Sequence, residues 1–452
     1  MKLFLLGALL PVAVWAADEK PVSFFSDVVP ILKQNCNGCH RPGKTKGDLD
    51  LTSFEAILKG GKQGALLHPG NIAESELLEQ ISGETPEMPK DADPLSLEEI
   101  ATISRWIAQG AKNDTPAGAA FHKLTRPPLY QALPAVTALA WSPDGTTLAV
   151  SGFHEVILWK SDGSALLARL AGHSTRIESL AFSSDGKWLA TAGGAPSEYG
   201  EIQLWDMTNH SLARSIKTTN DSVFGVSFSP DASAVAVGCA DKTVRAFSVA
   251  DGREIMKCDS HIDWVYATVF SHDGKRLVSA SRDRAVKLID ISTGHLIDDV
   301  NQARDVTLSL ARHPREDLVV FGDEKGGIRI HRMEPRGGRL AEGDNKENSF
   351  VRECERMPGA VHAIAWSPDG ALIAAGTVTG ETQLFKAADG RRLAAPKNKQ
   401  GAVFTLAFDP AGALLATAGY DGKVRIFKAQ TGEAVGEFAS VPLSTVAEAA
   451  AP

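Results

Sequence analysis

Trp141-Ser142-Pro143-Asp144-Gly145 recurs along the chain in altered form. It returns as Phe182-Ser-Ser-Asp-Gly186, Phe228-Ser-Pro-Asp-Ala232, Phe270-Ser-His-Asp-Gly274, Arg312-His-Pro-Arg-Glu316, Trp366-Ser-Pro-Asp-Gly370 and Phe408-Asp-Pro-Ala-Gly412. The spacings are 41, 46, 42, 42, 54 and 42 residues. Each turn follows an alternating stretch that reads as a strand. Each precedes a strand of small residues, such as Leu189-Ala-Thr-Ala-Gly193 or Leu415-Ala-Thr-Ala-Gly419. A third strand follows, as in Glu201-Ile-Gln-Leu-Trp-Asp206 or Lys423-Val-Arg-Ile-Phe427. A fixed period of this length marks a repeat architecture rather than one irregular domain.

The period and the strand pattern resemble those of WD repeats, with four strands per propeller blade. The resemblance covers about residues 130 to 440 and implies seven blades. Trp205-Asp206 is the one Trp-Asp pair and Gly172-His173 the one clear Gly-His. Elsewhere the aromatic persists as Trp159, Phe247, Phe385 or Phe427, and is replaced at Ile289 and His331. These departures predict that most blades lack the side-chain hydrogen-bond network of the strict family. Leu129 to Ala135 is predicted to supply an outer strand that zips the last blade shut. Two insertions, Ala195 to Gly200 and Pro335 to Asn348, read as surface loops or as rim elements for a partner.

Upstream, Cys36-Asn37-Gly38-Cys39-His40 is a C-x-x-C-H motif, the covalent attachment pattern of a c-type haem. Two thiols add to the porphyrin vinyl groups, and the neighbouring imidazole reaches the iron as proximal ligand. A zinc half-site would want a second Cys/His pair at matching spacing, and a redox pair would want a strand–helix context. Neither is present. Met1 to Ala16 reads as an export signal: Lys2, an apolar Leu3 to Val14, and the small residues of Val14-Trp15-Ala16 for cleavage before Ala17. Its apolar run is shorter than the roughly 20 residues that span a bilayer. The prediction is a periplasmic or otherwise exported protein with no transmembrane segment after cleavage.

With 452 residues the chain is long enough for two or three domains, and 43% hydrophobic residues supply a substantial core. A net charge of −8 argues against nucleic acid as a partner. Beyond the haem pair, Cys239, Cys258 and Cys354 are an odd remainder in strand-like runs. They read as buried small hydrophobes rather than a disulfide framework. His154, His210, His295, His313, His331 and His362 show no metal-ligand spacing. No Ser/His/Asp set, paired-carboxylate motif or Gly-rich phosphate loop is visible.

Around the haem motif, Asp27 to Gln34 reads as a helix, with Ser26 as N-cap and Pro30 tolerable in the first turn. Ser96-Leu97-Glu98-Glu99 is a capping box. It opens a helix whose apolar stripe is Leu97, Ile100, Ile103, Trp106 and Ile107, stopped at Gly110. Met88, in Glu87-Met88-Pro89-Lys90, is the candidate distal iron ligand, and a thioether there suits electron transfer. His68 is the alternative, and an open or water-bound iron is a third.

Val29-Pro30-Ile31-Leu32, the C-x-x-C-H motif, Gly47-Asp48-Leu49-Asp50-Leu51, Gly60-Gly61, Pro69-Gly70, Met88-Pro89 and the Leu97 to Ile107 helix together resemble the planctomycete-type cytochrome c domain. These landmarks run in order through residues 25 to 111. Lys90 departs from the family, which usually has a second proline there. Lys44, Lys46, Lys59 and Lys62 read as solvated loop lysines, with a docking patch for an acidic partner as the alternative.

The expected organisation is therefore a signal peptide (1–16), an all-α cytochrome c domain (20–112), a linker (113–128), a seven-bladed all-β WD-repeat propeller (129–440) and a tail (441–452). The expected function is single-electron transfer through one covalent haem c held by Cys36, Cys39, His40 and Met88. Redox partner proteins would serve the haem, and the propeller would hold a further protein. The rival expectations are a periplasmic redox enzyme with its site in the propeller, nitrite-reductase-like or quinoprotein-like, and a haem-based redox sensor. Those enzymes have eight-bladed propellers.

Overall fold

The computed structural model describes residues 21–41, 44–90, 92–115, 127–172, 174–301, 305–335, 349–393, 395–396 and 401–443. The signal segment, Ser26's side chain, His173, residues 336–348 of the second insertion, and residues 444–452 of the tail therefore lie outside them. The chain divides into two compact units, Met1–Ala117 and Gly118–Pro452.

The first unit is helical: α1 Val29–Asn35, α2 Phe54–Lys59, α3 Glu76–Ile81 and α4 Leu97–Ala108, with one two-stranded ribbon pairing His40–Arg41 with Lys44–Thr45. The first helical segment starts earlier than the sequence predicts. Phe24–Val28 forms a π-turn that runs into α1, because the N–H groups of Asp27 and Val28 both donate to the Ser23 carbonyl, at 3.1 and 3.2 Å. The Asp27 carboxylate accepts from the Ser23 N–H at 2.8 Å, and Val28 rather than Ser26 is the N-cap of α1. Pro30 falls in the first turn of α1, where its missing N–H leaves nothing unpaired.

Helix α4 has the predicted capping box: Ser96 Oγ accepts from the Glu99 N–H, and Glu99 accepts from the Ser96 N–H at 2.8 Å. It ends in a Schellman motif, with the Ala111 N–H donating to Trp106 O and the Gly110 N–H to Ile107 O. Gly110 takes φ +95°, which a side chain would resist. The apolar stripe is one turn shorter than expected. Leu97 is 86% exposed, since the domain core covers α4 only from Ile100 onward. Trp106 anchors that core, stacked on Phe24 at 5.2 Å with Phe54 edge-on to both rings.

The second unit is seven antiparallel sheets, each made of consecutive strands. Blades 1 to 7 span residues 139–171, 176–219, 223–258, 265–299, 307–353, 361–386 and 403–439. The first strands touch one another in turn: Leu139–Trp141, Arg176–Phe182, Val223–Phe228, Val265–Phe270, Thr307–Arg312, Val361–Trp366 and Val403–Phe408, and the last touches the first. The ring is closed. Second strands are covered on both faces by adjoining blades, so they are apolar throughout and small enough to let blades approach; all six residues of Ala234–Cys239 are buried. Cys239, Cys258 and Cys354 are free, buried and part of these cores.

The repeated turn explains its own sequence. Ser142 Oγ donates to Asp144 at 2.5 Å and accepts from the Thr147 N–H at 3.0 Å, so the hydroxyl locks both arms of the hairpin. Ser183, Ser229, Ser271 and Ser367 repeat the bond to Asp185, Asp231, Asp273 and Asp369 at 2.5–2.6 Å. Asp409 in blade 7 accepts directly from the Leu414 N–H at 2.6 Å. Turn also meets turn around the ring. Pro143 faces Gly186, Pro230 faces Gly274, Pro368 faces Gly412 and Pro410 faces Gly145, where an added Cβ would sit in ordinary contact at 3.4–3.6 Å; what calls for glycine there is the positive φ of +68 to +71°.

Closure differs from the expected strand exchange. Blades 1 and 7 each own four strands, and Leu129 to Ala135 adds none. Tyr130 makes a single parallel bridge to Leu443, and its hydroxyl donates to Glu155 at 2.8 Å. Arg169 holds the same carboxylate through Nε at 2.9 Å and Nη2 at 2.6 Å, and reaches Pro128 O at 2.6 Å. Trp159 Nε1 donates to Ser440 O at 2.9 Å. Both flanks are thus pinned over blade 1 by side chains. A polar clasp stands in place of the zipped strand. Blade 6 also departs from four strands: among the described residues its fourth position is one bridge, Phe385 to Arg392.

Glu155 is fully buried, so Glu155→Gln leaves Arg169 and Tyr130 facing a neutral amide. Denaturant unfolding of this variant is expected to show a loss of roughly 3 kcal/mol. Asp144, Asp185, Asp231, Asp273 and Asp369 are held below the ordinary carboxylate range, chiefly by their turn serines. A depressed pKa contributes stability that is present above about pH 4 and is lost as pH falls below it. A melting-temperature series from pH 7 to pH 3 should therefore drop at its acid end, and less steeply in Ser367→Ala.

Candidate functional site

The haem motif sits on the turn that continues α1. The Cys36 N–H donates to Leu32 O at 2.8 Å, and the N–H groups of Cys39 and His40 both donate to Cys36 O at 3.1 Å. One coil of backbone therefore presents both thiols and the imidazole. They line a cavity of about 450 Å³, whose apolar wall includes Leu49, Leu51, Leu66, Leu77 and Ile81. Met88 lines the same cavity. Its N–H donates to Gln80 O at 2.9 Å, so the last turn of α3 fixes the loop that carries it. Cys36, Cys39, His40 and Met88 are thus brought together, although about 50 residues separate the first three from the fourth.

His40 is already oriented. Its Nδ1 lies 3.0 Å from Lys46 O, and a carbonyl can only accept, so Nδ1 carries the proton and the Nε2 lone pair is left for a metal. His68 is exposed, makes a bridge with Asn71 and does not line the cavity. Burial, with Glu99 adding its charge, pushes the Cys36 thiol up to about 11. Two thiols, one oriented imidazole and one thioether around an apolar volume fit a covalent haem. Of the lysines, Lys46, Lys59 and Lys62 are exposed, and Lys44's side chain lies outside the described residues.

In the sequence, residues 36–92 match the family described as Planctomycete cytochrome C. Residues 171–450 match Nucleolar protein 10-like, N-terminal domain, and residues 130–163 match WD domain, G-beta repeat. The chain belongs to this WD-type β-propeller family, with a planctomycete-type cytochrome c domain before it. Its relatives share the propeller half. WD repeat-containing protein 55 of Mus musculus is 24% identical over 192 residues, 40% of this chain and 49% of the relative. Protein tipD of Dictyostelium discoideum is 24% identical over 259 residues, 49% of this chain and 42% of the relative. Periodic tryptophan protein 2 homolog of Schizosaccharomyces pombe is 24% identical, covering 50% of this chain and 29% of the relative. The chain spans less than half the length of these relatives.

Within the propeller the structure assembles a set that the sequence did not show. His261 Nδ1 is 2.8 Å from Asp283 and its Nε2 is 2.8 Å from Ser279 Oγ. The three residues stand on different strands and turns of blade 4, so no linear motif announces them. Burial works against the Asp283 charge, but the hydrogen bond and charge of His261 outweigh it and hold the carboxyl well below its usual range. The set ties the loop before blade 4 to its second strand. Ser279 is fully buried and His261 nearly so, which leaves the hydroxyl no route to a substrate. His331, at a position where other blades carry an aromatic, stacks on Phe321 at 5.0 Å. Burial pushes its imidazole down to about 4, so it packs as a neutral ring.

A fluorophosphonate probe should leave Ser279 unlabelled at neutral pH, while Ser279→Ala costs about 1–2 kcal/mol in denaturant unfolding. Labelling of Ser279 in the native protein would identify a nucleophile instead of a structural bond.

Proposed function

We propose that the chain is an exported electron carrier: one haem c, bound through thioethers at Cys36 and Cys39 and ligated by His40 and Met88, exchanges single electrons with redox partner proteins. The WD-repeat propeller is the protein-binding scaffold that places the carrier. The observation that supports this most is the convergence of both thiols, an imidazole with a fixed tautomer and a thioether on one apolar cavity. When bound, the haem supplies a one-electron couple whose potential a thioether ligand raises. The residues of the chain do the rest. The Lys46 carbonyl holds the imidazole ring, the α3 terminus holds Met88, and the apolar wall keeps water from the metal edge.

Carriage is favoured over catalysis in the propeller by the ring itself. Seven blades match a docking scaffold, whereas the dihaem and quinoprotein readings call for eight. No helix among the described residues is long and apolar enough to cross a membrane.

Replacing both Cys36 and Cys39 with serine should abolish haem that survives a denaturing gel; haem persisting there overturns the assignment. In Met88→Ala the oxidised protein should lose its weak sulfur-to-iron absorption band, with a lower midpoint potential. An unchanged spectrum would move the distal position to His68 or to water.

A further inference from the structure

Blades 2 to 7 all break register near the start of the first strand. The shift leaves Glu178, Tyr266, Leu308, His362 and Phe404 unpaired, and Phe224 with Gly225 in blade 3. A bulge bends its strand and re-aims the extra side chain. First strands are the ones that touch around the ring, so these residues stand about its axis at one end. Hydrogen bonds across the seams fix them at one level. Thr137 Oγ1 of blade 1 donates to Ile177 O, just before Glu178, and the Val226 N–H donates to Ser179 Oγ at 3.1 Å, just after it. Ser309 Oγ donates to Val361 O at 2.8 Å, just before His362.

Neighbouring bulges meet ring to ring. Phe224 lies 5.5 Å from Tyr266 and 5.9 Å from Trp264, and His362 lies 6.2 Å from Phe404. Phe224, Tyr266, Leu308 and Phe404 are half-buried, and Trp264 is 40% exposed. Burial holds the His362 imidazole below its ordinary value, so it presents a neutral ring at pH 7. Glu178 is the one charged residue of the six. Its Oε1 is 2.7 Å from Arg176 Nε on its own strand, whereas Oε2 is unpaired among the described residues and open to solvent. Burial raises the Glu178 carboxyl more than Arg176 lowers it, so its charge is under-compensated. The same rim already seats one cation on an aromatic face, since the Arg282 guanidinium lies 5.2 Å over the Trp264 ring.

We propose that this end of the ring axis is the propeller's docking site and takes one basic side chain, a lysine or arginine projecting from the partner protein. The aliphatic stem lies on the ring of Phe224, Tyr266, Leu308 and Phe404, and the charged end pairs with Glu178. A net charge of −8 on the chain steers a basic partner toward it. The inference rests on the reading of the propeller as a protein-binding scaffold and names the chemistry of its partner.

Calorimetric titration of the full-length haem-loaded protein with the capped peptide Ala-Ala-Lys-Ala-Ala tests this, beside counterparts with arginine, norleucine or glutamate at the centre. One saturable site is expected for lysine and arginine, with norleucine roughly tenfold weaker and glutamate unbound. Glu178→Gln should weaken the lysine peptide roughly tenfold and leave the norleucine peptide unchanged. Phe224→Leu keeps an apolar side chain and should weaken the lysine and arginine peptides roughly threefold to fivefold. Glu433→Gln, in the turn before the fourth strand of blade 7, controls for diffuse attraction and should change nothing. Absence of saturable lysine binding overturns the proposal. So does a norleucine or glutamate peptide that binds as tightly, or a loss in Glu433→Gln equal to that in Glu178→Gln. Covalent haem is stained on a denaturing gel of the same samples: if it persists while the titration fails, this site falls and the electron-carrier reading stands.

Discussion

Everything in the second unit follows from one constraint: a propeller blade has two apolar faces and can bury neither alone. Each second strand is therefore continuous with the core on both sides, as the six buried residues of Ala234–Cys239 show. A row of such sheets is stable only when it has no ends. Contact of Val403–Phe408 with Leu139–Trp141 removes them. The Tyr130–Glu155–Arg169 clasp then protects the point where the chain enters and leaves the ring.

The helical unit solves a different problem. It must keep a cavity open inside a small domain, so its few helices are fixed at their ends rather than by length. The capping box and Schellman motif define α4 to the residue, and Trp106 with Phe24 and Phe54 gives the remaining helices a common anchor. That leaves the opposite side of the domain free for thiols, imidazole and thioether. Ligands already positioned around the cavity would suit the proposed electron transfer, since little would have to move as an iron there changed its charge.

Departures from the repeat have physical content. Where blade 5 replaces Ser-Pro-Asp-Gly by His-Pro-Arg-Glu, a groove opens at the seam, and among the described residues Trp366 Nε1 has no acceptor, whereas Trp141 in blade 1 donates to Ala407 O. Where the repeat aromatic becomes His331, burial keeps the ring neutral and the packing survives. Blade 4 builds a buried polar set from His261, Asp283 and Ser279, although Ile289 stands where other blades carry the repeat aromatic.

Local chemistry was legible in the sequence. The seven turns, the strand alternation, the capping box, the C-x-x-C-H motif and Met88 are all set by residues within a few positions of one another, or by a period that repeats. What depends on distant partners was not. The π-turn at Phe24, the exposure of Leu97, the clasp in place of a zipped strand, the Phe385–Arg392 bridge of blade 6 and the His261 set each rest on residues brought together only by folding. Linear spacing proposed Cys36, Cys39, His40 and Met88 as a set; tertiary packing alone decided that α3 would hold Met88 over the same cavity as His40, because a hydrogen bond from Met88 to Gln80 joins two segments that no sequence period relates.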